Sequence, residues 1–172
     1  MSPERKAIEK KKTTQKIVMV IEAVIAVFLI IVIAIPIMNT LFLLKFKTQI
    51  GQQPRFRDTV LLQEYSDCGV LKEDGTFAFL SATVFYIPDQ NIDEVTEHYK
   101  LIMTDINAPK GTATGYCDLE VVKLDTYSCT TKFADEELVF HDISARDDYE
   151  DCYAVIIHDD GYDSPFDFRT YF

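Results

Sequence analysis

Residues Ile17–Leu44 read IVMVIEAVIAVFLIIVIAIPIMNTLFLL, a long apolar run interrupted by one carboxylate and bracketed by Lys16 and Lys45. At ~1.5 Å of rise per residue, a helix over this run is long enough to cross a ~30 Å hydrocarbon core even when tilted. A removable signal peptide has an apolar region of only ~7 to 15 residues and ends in small residues at its cleavage site. Here the exit is Met38-Asn39-Thr40-Leu41-Phe42-Leu43-Leu44-Lys45, bulky throughout. The run therefore predicts an uncleaved signal anchor over 17–44 and a lipid bilayer as the first partner.

Basic residues near the ends of a span resist translocation, so their imbalance predicts orientation. Arg5, Lys6, Lys10, Lys11, Lys12 and Lys16 precede the span, while Lys45, Lys47, Arg55 and Arg57 follow it. Six against four predicts a basic cytoplasmic tail over 1–16 and a C-terminal domain outside, in a cell membrane crossed once. Cys68, Cys117, Cys129 and Cys152 all follow the span, and an even count in a small domain suits disulfides in an oxidising compartment. Four cysteines allow three pairings, among which the sequence does not choose.

The net charge of -11 divides unevenly at the membrane. Residues 1–16 carry six basic and two acidic side chains, and residues 48–172 carry nine basic and twenty-five acidic ones. The acidic domain argues against nucleic acid or an anionic membrane surface as a partner, because phosphate contacts need cations. It suits cationic partners, divalent ions or plain solubility.

Within the span, Glu22 is costly if ionised in lipid. A hydrocarbon segment running from Ala23 to Leu44 leaves it in the cytoplasmic interface; a deeper position makes it a marker of assembly with a neighbouring subunit. Pro36 removes a backbone donor and predicts a kink, and Asn39 offers a hydrogen bond across a helix interface or to headgroups.

Glu22, the aliphatic residues after it and Pro36 (IEAVIAVFLIIVIAIP), behind a basic leader, resemble the N-terminal helix of type IV pilins and pseudopilins. The resemblance covers about twenty residues and implies a structural subunit with a globular, β-rich, disulfide-stapled head that assembles through the carboxylate. The family's processing glycine has no counterpart before Gly51, where this chain reads Thr14-Gln15-Lys16-Ile17, and the distance from Glu22 to Pro36 is shorter than the family's.

After the span, Lys45-Phe46-Lys47-Thr48-Gln49-Ile50-Gly51 loses apolar periodicity and Pro54 follows, predicting a helix end near Gly51 and a short stalk over 45–57. Residues 58–172 form the domain. Asn91 can cap a helix, with Glu94 placed to reach back as in a capping box. Ile92, Val95, Tyr99, Ile102 and Ile106 then make one apolar face of a helix ending before Pro109. Thr76–Ile87 (TFAFLSATVFYI) is β-branched and aromatic on both alternating sets, as a central strand requires, and follows the turn Glu73-Asp74-Gly75. Shorter strands are predicted at 116–124, 126–133, 137–143, 152–158 and 166–171. The expected fold class is α+β: one transmembrane helix, then a mainly antiparallel sheet with one amphipathic helix on a face.

Sites of chemistry are sparse. The cysteine spacing fits no common zinc site, and His98, His141 and His158 are dispersed. His141-Asp142 and His158-Asp159 are neighbours whose side chains would point to opposite faces of a strand. None of Ser66, Ser81, Ser128, Ser144 or Ser164 sits in a Gly-x-Ser-x-Gly elbow. The acidic C-terminal third, with Asp142, Asp147, Asp148, Glu150, Asp151, Asp159, Asp160, Asp163 and Asp167, holds the candidate metal ligands. A hairpin between Cys152 and His158 would join two carboxylate-rich loops that could supply oxygens to calcium, although Asp159-Asp160-Gly161-Tyr162-Asp163 lacks the ligand alternation of an EF-hand. Tyr162, Phe166, Phe168, Tyr171 and Phe172 predict a terminal strand with one buried side. The expectation is a single-pass, extracytoplasmic binding or assembly module without a cofactor, acting on a protein partner and able to oligomerise through its helix. A pilin-like subunit and an enzyme without a recognisable motif are the alternatives.

Overall fold

The computed structural model describes residues 3–71, 76–102, 117–133, 136–159 and 161. Its first element is one helix, α1 (Pro3–Gln52), which passes through Pro36 without a break in assignment and ends one residue beyond Gly51. Exposure changes along it. Residues 12–31 are exposed on every side, Val32, Ala34, Ile35 and Pro36 are half-buried, and Asn39, Phe46 and Ile50 are buried. Residues 39, 42, 43, 46 and 50 recur at helical spacing, so they form one stripe against the domain.

The expected stalk is thus largely helix. Residues 45–52 continue α1, and Phe46 and Ile50 enter the core. The link from α1 to the sheet is short and fastened. His98 bonds the Pro54 carbonyl at 3.0 Å, its ring meets Phe56 edge to face at 5.2 Å, and Arg57 pairs with Glu94 at 3.0 Å.

The domain has four strands in one antiparallel sheet: β1 (Val60–Val70), β2 (Phe77–Tyr86), β3 (Cys117–Lys123) and β6 (Cys152–Asp159), in the order β1-β2-β6-β3. A second helix, α2 (Ile92–Ile102), follows β2, and β4 (Ser128–Thr131) pairs with β5 (Glu136–Val139) as a separate hairpin. The fold is α+β, with two helices rather than one on the sheet, because the end of α1 shares a face with α2.

Alternation along the strands builds two cores. Phe77, Phe79, Phe85, Tyr153, Val155 and Ile157 point to the helices, where Phe46, Ile50, Val95 and Tyr99 meet them. Leu80, Ala82, Val84, Cys152, Ala154 and Ile156 point the other way, onto Leu124, Cys129, Leu138, Phe140 and Ile143. The two-sided apolar character of β2 is explained by this: it is central and covered on both faces.

β2 and α2 lie where the sequence predicts. The Asn91 side chain accepts the Asp93 amide at 3.0 Å, the N-cap contact expected of it. β3 and β4 fall within their expected ranges and β6 runs one residue beyond its own, to Asp159, while the segment expected as a strand over 137–143 is β5 followed by a 3-10 turn at His141–Ile143. The expected strand at 166–171, Tyr162, Ile106, Pro109 and the turn at 73–75 lie outside the described residues. β1 has no counterpart among the sequence expectations. Its register shifts between Leu61 and Gln63, placing Leu61 toward the helix-side core and Leu62 toward the opposite one. The extra residue reverses the alternation within the strand, which hides it from a period-two reading.

Candidate functional site

Two features of the chain carry chemistry or contact: the acidic third and the junction of α1 with the sheet. The described acidic residues do not converge. β6 is one extended strand, not a hairpin, so Asp147, Asp148, Glu150 and Asp151 lie at its start and Asp159 at its end. Seven residue steps at ~3.3 Å put those ends roughly 23 Å apart. Among the described residues no three His, Cys, Asp or Glu side chains come together as a metal would require. Asp160 and Asp163 lie outside the described residues, as do Asp167 and the aromatic terminus.

The carboxylates of Asp148, Asp151 and Asp159 accept local hydrogen bonds. Asp148 accepts two bonds from the Arg146 guanidinium, at 2.8 and 2.6 Å, and this pairing holds its carboxyl below the usual carboxylate value. Asp151 accepts the Asp89 amide at 3.3 Å, while its own carbonyl receives the Ile87 amide at 2.7 Å. The Asp142 backbone amide donates to the Gln63 side-chain carbonyl at 3.0 Å. Asp159 is buried and accepts the Phe79 amide at 2.9 Å. Asp147 and Glu150, with Lys123, Leu124, Asp125 and Tyr149, line an open cleft of about 630 Å³. Three carboxylates and one ammonium give it a negative field suited to a cation.

The structure gives the disulfide expectation no support: all four cysteines are buried and no disulfide joins any of them. The sheet divides them. Cys68 and Cys117 face the helices, Cys129 and Cys152 the opposite core. Cys68, Phe79, Asp159 and Cys117 occupy one row across the four strands, so the first two thiols stand three strand spacings apart, roughly 14 Å, twice the reach of a disulfide. On the other face, burial above all, with Glu120 adding to it, pushes the Cys129 thiol up to about 11, and burial raises Cys152, whose Sγ donates to the Asp148 carbonyl at 3.5 Å. Protonated, enclosed thiols are poor nucleophiles and poor metal ligands.

The histidine neighbours do not form dyads. His158 stacks on Phe133 with ring centroids 3.7 Å apart, and His141 begins an exposed 3-10 turn.

The junction is the better organised feature. Phe46 meets Phe79 at 6.4 Å between centroids, and Lys47 reaches Glu64 at 4.0 Å. A Cβ added at Gly51 would stand 2.9 Å from the Glu64 carboxylate and 3.9 Å from Leu61, so the helix end lies close against β1. These contacts were not legible from the sequence, where Phe46 and Ile50 read as ordinary linker residues. Of the topology residues, Arg5, Lys6, Lys10 and Lys11 lie on the first turns of α1, and Lys12, Lys16 and Glu22 are exposed on the free part of the helix.

Against models of known protein families, curated proteins and solved structures, the chain matches none.

Proposed function

We propose that this chain is a single-pass, membrane-anchored binding or assembly module that holds its acidic domain close to the bilayer. One observation carries the reading: α1 is apolar and exposed over its free part, and the same helix ends as a structural member of the domain core. One helix among the described residues has the length and hydropathy to cross a membrane, with a mean hydropathy of 3.2 in its most apolar window. A soluble protein has no reason to leave such a surface in water, where each large aliphatic side chain forgoes ~1.5 to 3 kcal/mol of burial.

Orientation rests on the lysines and arginines, since no disulfide is present to support the argument from an oxidising compartment. The six basic residues ahead of the span favour a cytoplasmic N-terminus and an extracytoplasmic domain that meets a protein partner. The acidic cleft at Asp125, Asp147 and Glu150 favours a partner that presents cations.

The test is protease added to intact cells and then to permeabilised ones. Removal of residues 58–172 from intact cells supports the outward domain. Protection until permeabilisation reverses the topology and makes the domain a cytoplasmic module.

A pilin-like structural role is the second reading, favoured by one specific feature. A helix that protrudes apolar from the domain and also lies across an antiparallel sheet is suited to bundling with copies of itself. Loss of assembly on Glu22→Ala, with the domain still folded, supports it; unchanged or absent assembly in the native chain removes it. An enzyme without a recognisable motif is the third reading, and turnover that depends on cleft residues would be its support.

A further inference from the structure

No residue of Ile17–Met38 is buried, and at ~1.5 Å per residue this length reaches ~33 Å against a ~30 Å hydrocarbon core, but a span placed there holds Glu22 within it. Moving the span backward would also draw Lys16 and Lys12 into lipid. Moving it forward frees Glu22 and draws in the length that packs on the domain.

The forward length is built for this. Ile25–Leu44 is twenty residues, ~30 Å, and contains only two polar side chains, Asn39 and Thr40. Asn39 is 4% exposed, on the stripe that faces the domain. Thr40 is exposed but its hydroxyl donates to the Pro36 carbonyl at 2.9 Å, within the helix. On the side away from the domain, Leu41 and Leu44 are 58% and 56% exposed, continuing the apolar surface of Ile37 and Met38. Lys45 and Thr48 then end it.

The order of contacts says which end of the domain comes along. Gly51 lies against Leu61 and Glu64, whereas Phe46 lies against Phe79, the register partner of Cys68. Passing back along α1 toward the membrane is therefore passing forward along β1 toward Val70, an apolar residue 37% exposed.

We infer that the domain is partly seated in the bilayer: acyl chains cover the Leu41–Leu44 face of α1, and the Val70 end of β1 rests in the lipid interface. The inference depends on α1 spanning the membrane. In this position Glu22 stands in the opposite interface, outside the hydrocarbon.

The test places single cysteines at Ile25, Leu41, Leu44, Thr48, Val60 and Val70 of the full chain. The native thiols are buried, so brief treatment labels the introduced one with an environment-sensitive dye, and the unsubstituted chain serves as the blank. Proteins are reconstituted in phosphatidylcholine–phosphatidylglycerol vesicles containing phosphatidylcholine brominated on its acyl chains. The expected result is quenching at Leu41, Leu44 and Val70 comparable with that at Ile25, and none at Thr48 or Val60. Quenching at Ile25 but at none of the three leaves the span intact and overturns the seating. Shielding of Leu41 and Leu44 from aqueous iodide without bromolipid quenching overturns it in favour of a second copy on that face. A dye at Ile25 that bromolipid does not reach overturns the span itself. A variant that melts below the unsubstituted domain is replaced by its neighbour on the same face, Met38 for Leu41 or Ile37 for Leu44.

Discussion

Phe46, on the long N-terminal helix, meets Phe79, on the second strand of the sheet, edge to face at 6.4 Å with ring planes inclined by 64°. A residue of the long apolar helix is thereby a residue of the domain core. Such ring pairs add ~0.5 to 1.5 kcal/mol beyond the area they bury.

Phe46→Ala should therefore lower the stability of the domain by ~3 to 5 kcal/mol, and Ile50→Ala by ~2 to 5 kcal/mol. Thermal melts of the reconstituted full chain check this. A domain that melts unchanged without either side chain would mean that α1 and the sheet are independent.

All four thiols should be silent in the native protein and react with an aromatic disulfide reagent only after unfolding, four per chain. A reducing agent should leave the melting temperature where it was. Fewer than four thiols in the denatured chain would restore a bridge.

Alkali should find Cys129. Its pKa is raised in the folded state, so the unfolded thiol ionises first and drives unfolding as pH rises. The stability tied to the neutral thiol is whole below the ordinary cysteine value of about 8.5 and is lost as pH climbs toward about 11. Cys129→Ala should flatten that alkaline limb in melts recorded from pH 8 to 11.

Asp148 works in the opposite direction. Arg146 lowers its folded pKa, so its contribution is present above the unfolded value of about 3.9 and disappears as pH falls through the lower folded one. Asp148→Asn should reduce the acid sensitivity of the domain below about pH 4. A carboxyl resonance for Asp148 that titrates at the ordinary value would contradict the pairing.

Asn91→Ala removes the acceptor for the Asp93 amide and should cost ~1 kcal/mol. Amide exchange at the first turn of α2 should accelerate more than exchange in β6.

Legibility followed how local each signal was. α2 was readable because its cap and its apolar period lie within one short segment. β2 was readable because a strand buried on both faces is apolar at successive positions. β1 was not, since Leu62 shifts the phase of its alternation and its edge position leaves Gln63, Glu64 and Asp67 in place of apolar residues. The cysteine count was uninformative for a related reason: an even count says nothing about which side of a sheet each side chain takes. The acidic third likewise read as a cluster in one dimension, and a straight β6 pulled it apart. In α1, Phe46 and Ile50 continue the spacing of the stripe beyond the last leucine, but lysines on either side gave them the look of a linker.

α1 is one continuous helix from its exposed apolar length, through Pro36, to the core. With the apolar length in lipid, as proposed, lipid and sheet would hold two arms of one lever. A helix of fixed apolar length leans further in a thin bilayer and stands straighter in a thick one. The angle it takes would be handed on to the sheet at Phe46 and Ile50. The acidic cleft lies at the Leu61 end of the sheet, far from the proposed span, where that swing would be widest. The acyl-chain length of the host membrane would then set the height and aim of the cleft, so lipid composition selects which neighbours it can touch.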